Sequence, residues 1–133
     1  MNKERSETTV VIPTYNNTFD DLYNAVTSVI NQKLPAEEII IVDDGSTNKI
    51  PDEIIKIITP SNDTRIKLFK KKNEGPSSAR NYGLKNCSSK YITFLDSDDQ
   101  MLPDNILIKT NELKKTSTDY FGVYGTFIMM PEN

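Results

Sequence analysis

Three runs of consecutive apolar residues constrain this chain more than any other feature of it. They are Val10-Val11-Ile12, Ile39-Ile40-Ile41-Val42 and Tyr91-Ile92-Thr93-Phe94-Leu95. Each is short and bounded by polar or turn-forming residues, and each is rich in branched or aromatic side chains, which is the pattern of a strand. None alternates between apolar and polar, so neither face of these strands is built for water. Strands covered on both faces belong to parallel sheets, where crossover helices supply the cover.

The intervening segments carry that helical cover. From Phe19 to Gln32, Leu22, Ala25, Val26, Val29 and Ile30 recur at three- and four-residue spacing, with Asp20 and Asp21 in the first turn where the helix dipole favours acids. A second helix is predicted from Pro51, with Ile54, Ile55 and Ile58 inward. Arg65 to Phe69 alternates as a further strand, Gly75 to Cys87 reads as a third helix and Asp104 to Lys115 as a fourth. Pro13 is expected to stop the first strand, and Asp119 to Met130 reads as one or two more strands. The predicted fold class is α/β: an open, mostly parallel, doubly wound sheet with helices on both faces. Residues 1–7 read as a disordered leader and 8–133 as one domain.

Composition removes several kinds of chemistry. The chain has 133 residues, no histidine and one cysteine, Cys87. Histidine-based nucleophilic catalysis, histidine-ligated metal and an internal disulfide are therefore unavailable within it. Acid–base and metal-binding work must fall to carboxylates. Net charge is −3, so no global field draws in nucleic acid; the one basic run, Lys70-Lys71-Lys72, reads as a solvated strand end. No Gly-X-X-X-X-Gly-Lys-Ser and no Gly-X-Gly-X-X-Gly is present, which argues against a P-loop or a dinucleotide site. The polar start resembles no signal peptide, and no apolar run is long enough to span a bilayer. Cytoplasmic placement is expected, with peripheral association at the inner face of the membrane left open.

Open α/β sheets bind ligands beyond the carboxyl ends of their strands. The residues there are Pro13-Thr14-Tyr15-Asn16-Asn17, Asp43-Asp44-Gly45-Ser46 and Asp96-Ser97-Asp98-Asp99. Three carboxylates within four residues repel one another unless a cation or solvent offsets them. Hard oxygen donors of this kind suit Mg2+ or Mn2+; the competing reading is a solvated acidic turn. Asp43 and Asp44 either belong to a glycine turn or accept hydrogen bonds from a ligand. Tyr15 either wedges into the core or offers a flat face to a nucleobase. The helix entry at Gly75 can face an anion, while Arg80 and Asn81 can equally be a solvated helix face.

In this order and at these separations, Val10–Asn16, Ser28–Gln32, Ile40–Ser46, Asn73–Leu84 and Phe94–Asp99 resemble the family 2 glycosyltransferases of the GT-A fold. The resemblance covers about residues 8 to 125. It implies transfer of a sugar from a nucleotide diphosphate, by default a UDP-sugar, to an acceptor hydroxyl, assisted by Mn2+ or Mg2+ and with inversion. By position, Pro13, Thr14 and Tyr15 match the loop against the nucleobase, and Asp43 matches the carboxylate on the base, with Asp44 beside it. Asn73, Gly75, Arg80 and Asn81 match the segment near the base and diphosphate. Asp96, Ser97 and Asp98 match the Asp-X-Asp motif, with Asp98 on the metal, Asp96 on the metal or ribose side, and Asp99 as an assistant. The resemblance implies an acceptor-binding half and a catalytic base after Asn133; neither Glu112 nor Asp119 matches the base. The acceptor, whether carbohydrate, lipid-linked or protein, is not implied, and surface polysaccharide synthesis is a fitting context. The alternative is a fragment or module that binds a nucleotide sugar without catalysis.

Overall fold

The computed structural model describes residues 5–58 and 65–115. The strand reading of Asp119 to Met130 lies outside them. The elements run β1 (Thr8–Thr14), α1 (Phe19–Ile30), β2 (Glu38–Asp43), α2 (Ile50–Ile58), β3 (Ile66–Lys70), α3 (Pro76–Lys85), β4 (Tyr91–Phe94) and α4 (Asn105–Lys115). The strands form one sheet in the order β3-β2-β1-β4, and every pairing is parallel. Chain order reverses beside β1, so the topological switch point lies between the carboxyl ends of β1 and β4.

The two central strands are covered on both faces, as their apolar runs require, whereas β4 is only half-buried, with Phe94 41% exposed, so the expectation of full cover fails at this edge strand. All residues of β1 and β2 are buried. On one face Val10, Ile12, Ile39 and Ile41 pack with Leu22, Val26 and Val29 of α1, Ile54 of α2 and Ile106 of α4. On the other face Val11, Ile40 and Val42 meet Ala79 of α3, with Cys87 at the margin as an apolar filler. Gly83 lets α3 approach this closely. A Cβ there would lie 2.5 Å from Val11 Cγ1.

Two more expectations are corrected. Pro13 does not stop β1, which continues in register with β2 through Pro13↔Val42 and Thr14↔Asp43. The reason lies in the direction of the backbone groups. The Val11 carbonyl accepts from Leu95 N–H on the β4 side, so Pro13, two residues on, faces that side too. β4 pairs with β1 only as far as Phe94, opposite Val11. The missing proline N–H therefore interrupts no ladder. The expectation of disorder through residue 7 also fails at its end: Ser6 is buried, with both N–H and Oγ donating to the Pro35 carbonyl, and the Glu7 carbonyl accepts from Tyr91 N–H.

Overpacking at Gly83 is a direct test of this layering. Gly83→Ala is expected to destabilise the chain by about 1–2 kcal/mol, because the clash with a fully buried valine outweighs the better helix propensity of alanine. Urea denaturation measures it, and Val11→Ala in the same chain should recover most of the loss.

Candidate functional site

Three loops meet at the carboxyl end of the sheet, and side-chain amides join them. After β1, Asn16 takes a left-handed conformation with φ 51°. Its N–H donates to Ser46 Oγ at 2.9 Å, and its Oδ1 accepts from Thr47 N–H at 2.8 Å. The loop after β1 is thus fixed to the loop after β2. Asn17 joins it to the third loop: its Oδ1 accepts from Thr14 Oγ1 at 2.9 Å, Tyr15 N–H at 3.2 Å and Ser97 Oγ at 2.6 Å.

The acidic loop after β4 is a tight turn closed by Asp99 N–H donating to the Asp96 carbonyl at 3.0 Å. Ser97 is buried, while Asp96, Asp98 and Asp99 are exposed and bring one carboxylate oxygen each within 4.8 Å of the others. Burial, and then the Asp98 and Asp96 charges, push the Asp99 carboxyl above the usual carboxylate range. The three carboxylates are close enough for their charges to repel, and the donor set is all hard oxygen, so these residues fit a divalent cation. The far end of the loop is held by α1: Met101 N–H donates to Ser28 Oγ, Gln32 Nε2 donates to the Leu102 carbonyl, and Gln32 Oε1 accepts from Ile106 N–H.

Asp43 and Asp44 are both buried but differ in what they do. Asp43 Oδ1 accepts from Ser46 N–H at 2.9 Å, and no bond to its Oδ2 is found among the described residues. Asp44 spends both oxygens inside the protein. Its Oδ1 accepts from Lys71 Nζ at 2.9 Å and Glu74 N–H at 3.0 Å, and its Oδ2 from Gly75 N–H at 2.9 Å. Asp44 therefore holds the Asn73–Gly75 loop, a structural role that Asp43 does not share. Burial alone would raise the Asp44 carboxyl, but the bonds from Lys71 and the two amides outweigh it and hold it below the usual range. Lys71 is correspondingly raised by its bond to Asp44. Its side chain is only 9% exposed, so the reading of the lysine run as a solvated strand end fails at this residue. Gly45, at φ +80°, lies so close to this loop that a Cβ would sit 2.8 Å from Asn73 N.

The other predicted residues are distributed unevenly. Pro13 and Thr14 are buried at the end of β1, and Tyr15 is 51% exposed, which removes the core-wedge reading. Arg80, from α3, donates to Asp96 Oδ1 at 3.0 Å and so joins the acidic loop. Asn73 and Asn81 are exposed, and no hydrogen bond among the described residues ties Asn81 to the other candidates. Sequence reasoning quoted Asn16, Asn17 and the Ser28–Gln32 segment without giving them roles, and it missed Lys71. Two amides directly after a strand end are a readable signal; a lysine inside a lysine run is not.

The Asp44 contacts predict a pH dependence. A carboxyl held low in the folded state stabilises the fold above its ordinary pKa and loses that contribution as pH falls through the folded value. The wild-type chain should therefore lose stability steeply below about pH 4, while Asp44→Asn should give a flatter acid limb. At pH 7 the variant should be less stable by about 2 kcal/mol, since charge-assisted bonds to buried amides are weakened. Thermal melts across pH measure both.

Comparison with known proteins identifies the family and the fold. The Glycosyl transferase family 2 model matches residues 9–129. A glycosyltransferase of Rickettsia conorii is 45% identical over 108 residues, which is 81% of this chain and 17% of that protein. The minor teichoic acid biosynthesis protein GgaA of Bacillus subtilis is 44% identical over 97 residues, 68% of this chain and 21% of its own length. Among solved structures, Staphylococcus aureus TarS 1–349 in complex with UDP superimposes with a TM-score of 0.69 at 24% identity, covering 81% of this chain and 32% of that one. The mannosyltransferase PcManGT of Pyrobaculum calidifontis, in complex with GDP-Man and Mn2+, gives a TM-score of 0.65 at 23% identity, over 72% of this chain and 28% of that one. The chain spans 17%, 18% and 13% of the three Rickettsia relatives it matches. With the fold shared with GT-A glycosyltransferases and the family model matched over nearly its whole length, the chain belongs to glycosyltransferase family 2.

Proposed function

We propose that this chain forms the donor-binding portion of an inverting glycosyltransferase that takes a sugar from a UDP-sugar and passes it to an acceptor hydroxyl. The observation that carries the reading is the convergence of Tyr15, Asp43, Arg80 and the Asp96–Asp99 carboxylates at the carboxyl ends of β1, β2 and β4. Tyr15, exposed just beyond β1, stacks on the base. Asp43 turns an oxygen to a base N–H. Asp96 accepts from a ribose hydroxyl or shares the ion. Arg80 stands where its guanidinium can leave Asp96 for the diphosphate, a modest change for a partly exposed ion pair.

Asp98 and Asp96, with Asp99 beside them, would hold Mn2+ or Mg2+, and a bound ion of this kind offsets charge on the diphosphate leaving group. No residue of this chain is assigned as catalytic base. Relatives named for teichoic acid and succinoglycan biosynthesis support surface polysaccharide synthesis as the setting. A cytoplasmic location, with peripheral association at the inner face of the membrane, is part of this proposal and fits that setting. Among the described residues no helix is long and apolar enough to cross a membrane.

Calorimetric titration of UDP into the chain with Mn2+, and again with EDTA, tests the reading. UDP should bind in Mn2+ and bind weakly or not at all in EDTA. Asp98→Ala should weaken binding in Mn2+ by about tenfold or more, ~1.4 kcal/mol. Tyr15→Ala should cost about 1–3 kcal/mol of UDP affinity through lost stacking, with little change in melting temperature. Tighter binding of GDP than UDP would replace the donor base, and no nucleotide binding by the folded chain would overturn the site.

A further inference from the structure

We infer that Asn17 is the positioning residue for the acidic loop: through Ser97 it sets the aim of Asp96 and Asp98 and so the affinity for a divalent cation. The inference rests on the cation reading proposed above. It begins from an alternation in exposure. Asp96 is exposed, Ser97 is 8% exposed and Asp98 is exposed. Ser97 turns inward between two carboxylates that turn outward, so whatever fixes Ser97 fixes the other two.

What fixes Ser97 is one atom. Asn17 Oδ1 lies 2.6 Å from Ser97 Oγ, across 80 residues of sequence. The same atom takes Tyr15 N–H at 3.2 Å. A backbone N–H can only donate, so the Asn17 atom is the amide oxygen, and the Ser97 and Thr14 hydroxyls must both give it their protons. The Ser97 hydroxyl hydrogen is therefore committed to the protein and is not available to a ligand. That recasts Ser97, expected to bind nucleotide sugar, as a tether.

Asn17 is itself rigidly placed. It sits between the end of β1 and Thr18, which caps α1 by accepting from Asp21 N–H at 3.2 Å. The other end of α1 holds the far side of the loop through Ser28 and Gln32. The acidic turn thus hangs between the two ends of one helix. The anchor at Ser28 and Gln32 binds Met101, Leu102 and Ile106, beyond the carboxylates, whereas the Asn17 anchor reaches into the carboxylate run itself. Groups that orient metal ligands from behind typically change metal affinity about 10–100-fold when removed.

The test compares Asn17→Ala, Asn17→Asp and Ser97→Ala with the wild-type chain. Mn2+ affinity is read by electron paramagnetic resonance of the free ion, with melting temperature and amide exchange at Asp99 measured alongside. Asn17→Ala and Ser97→Ala should each weaken Mn2+ about tenfold, and the double variant should lose no more than either single. Asn17→Asp keeps the acceptor oxygen and should bind Mn2+ at least as tightly as wild type, whatever its melting temperature. Exchange at Asp99 should quicken in both alanine variants, because its bond to the Asp96 carbonyl closes the turn. Wild-type affinity in Asn17→Ala, additive losses in the double variant, or failure of Asn17→Asp to restore binding would overturn the inference. Absence of Mn2+ binding in wild type with quickened Asp99 exchange in the alanine variants would overturn the cation reading and leave the positioning role standing; unchanged exchange would overturn both.

Discussion

Burial of β1 and β2 on both faces is the constraint on which the rest of this structure depends. Every side chain of Thr8–Thr14 and Glu38–Asp43 is out of water. Such strands cannot carry solvated groups along their length, so polar chemistry is displaced to their carboxyl ends. The same burial demands a helix pressed against each face. Gly83 meets that demand on one side by giving up its side chain to Val11.

The loops at that end are joined without a disulfide, and hydrogen bonds from side chains do the joining. Asn16 ties the first loop to the second, Asn17 ties it to the third, and Gln32 holds the start of α4. Each bond contributes about 1 kcal/mol to stability on its own. Their larger effect is geometric, since three segments far apart in sequence are brought to one place and kept there.

Electrostatics divides the acidic residues into two kinds. Asp44 is compensated from within by Lys71 and two backbone amides, so its charge stabilises the fold. Asp96, Asp98 and Asp99 lie exposed together, with Arg80 as the partner of one of them. A run of acids left under-compensated at the end of a half-buried edge strand leaves negative charge to be offset, whereas an acid saturated by its own backbone does not.

The sequence by itself determined the sheet, the helices that cover it and the end at which polar residues gather. Those follow from period and composition, which are local properties: Ile39-Ile40-Ile41-Val42 can only be a strand hidden on both faces, and the spacing from Leu22 to Val29 can only be one helix face. The resemblance carried by five short segments added the family. Tertiary structure alone decided the rest. It separated Asp43 from Asp44, which are adjacent and chemically identical, by turning one carboxylate into the Lys71 and Gly75 contacts. It carried β1 through Pro13, because β4 had already ended on the side that proline faces. It brought Asn17 to Ser97 and Arg80 to Asp96. Each of these depends on which atoms meet across long stretches of chain, and the pattern of residues along the chain does not specify that.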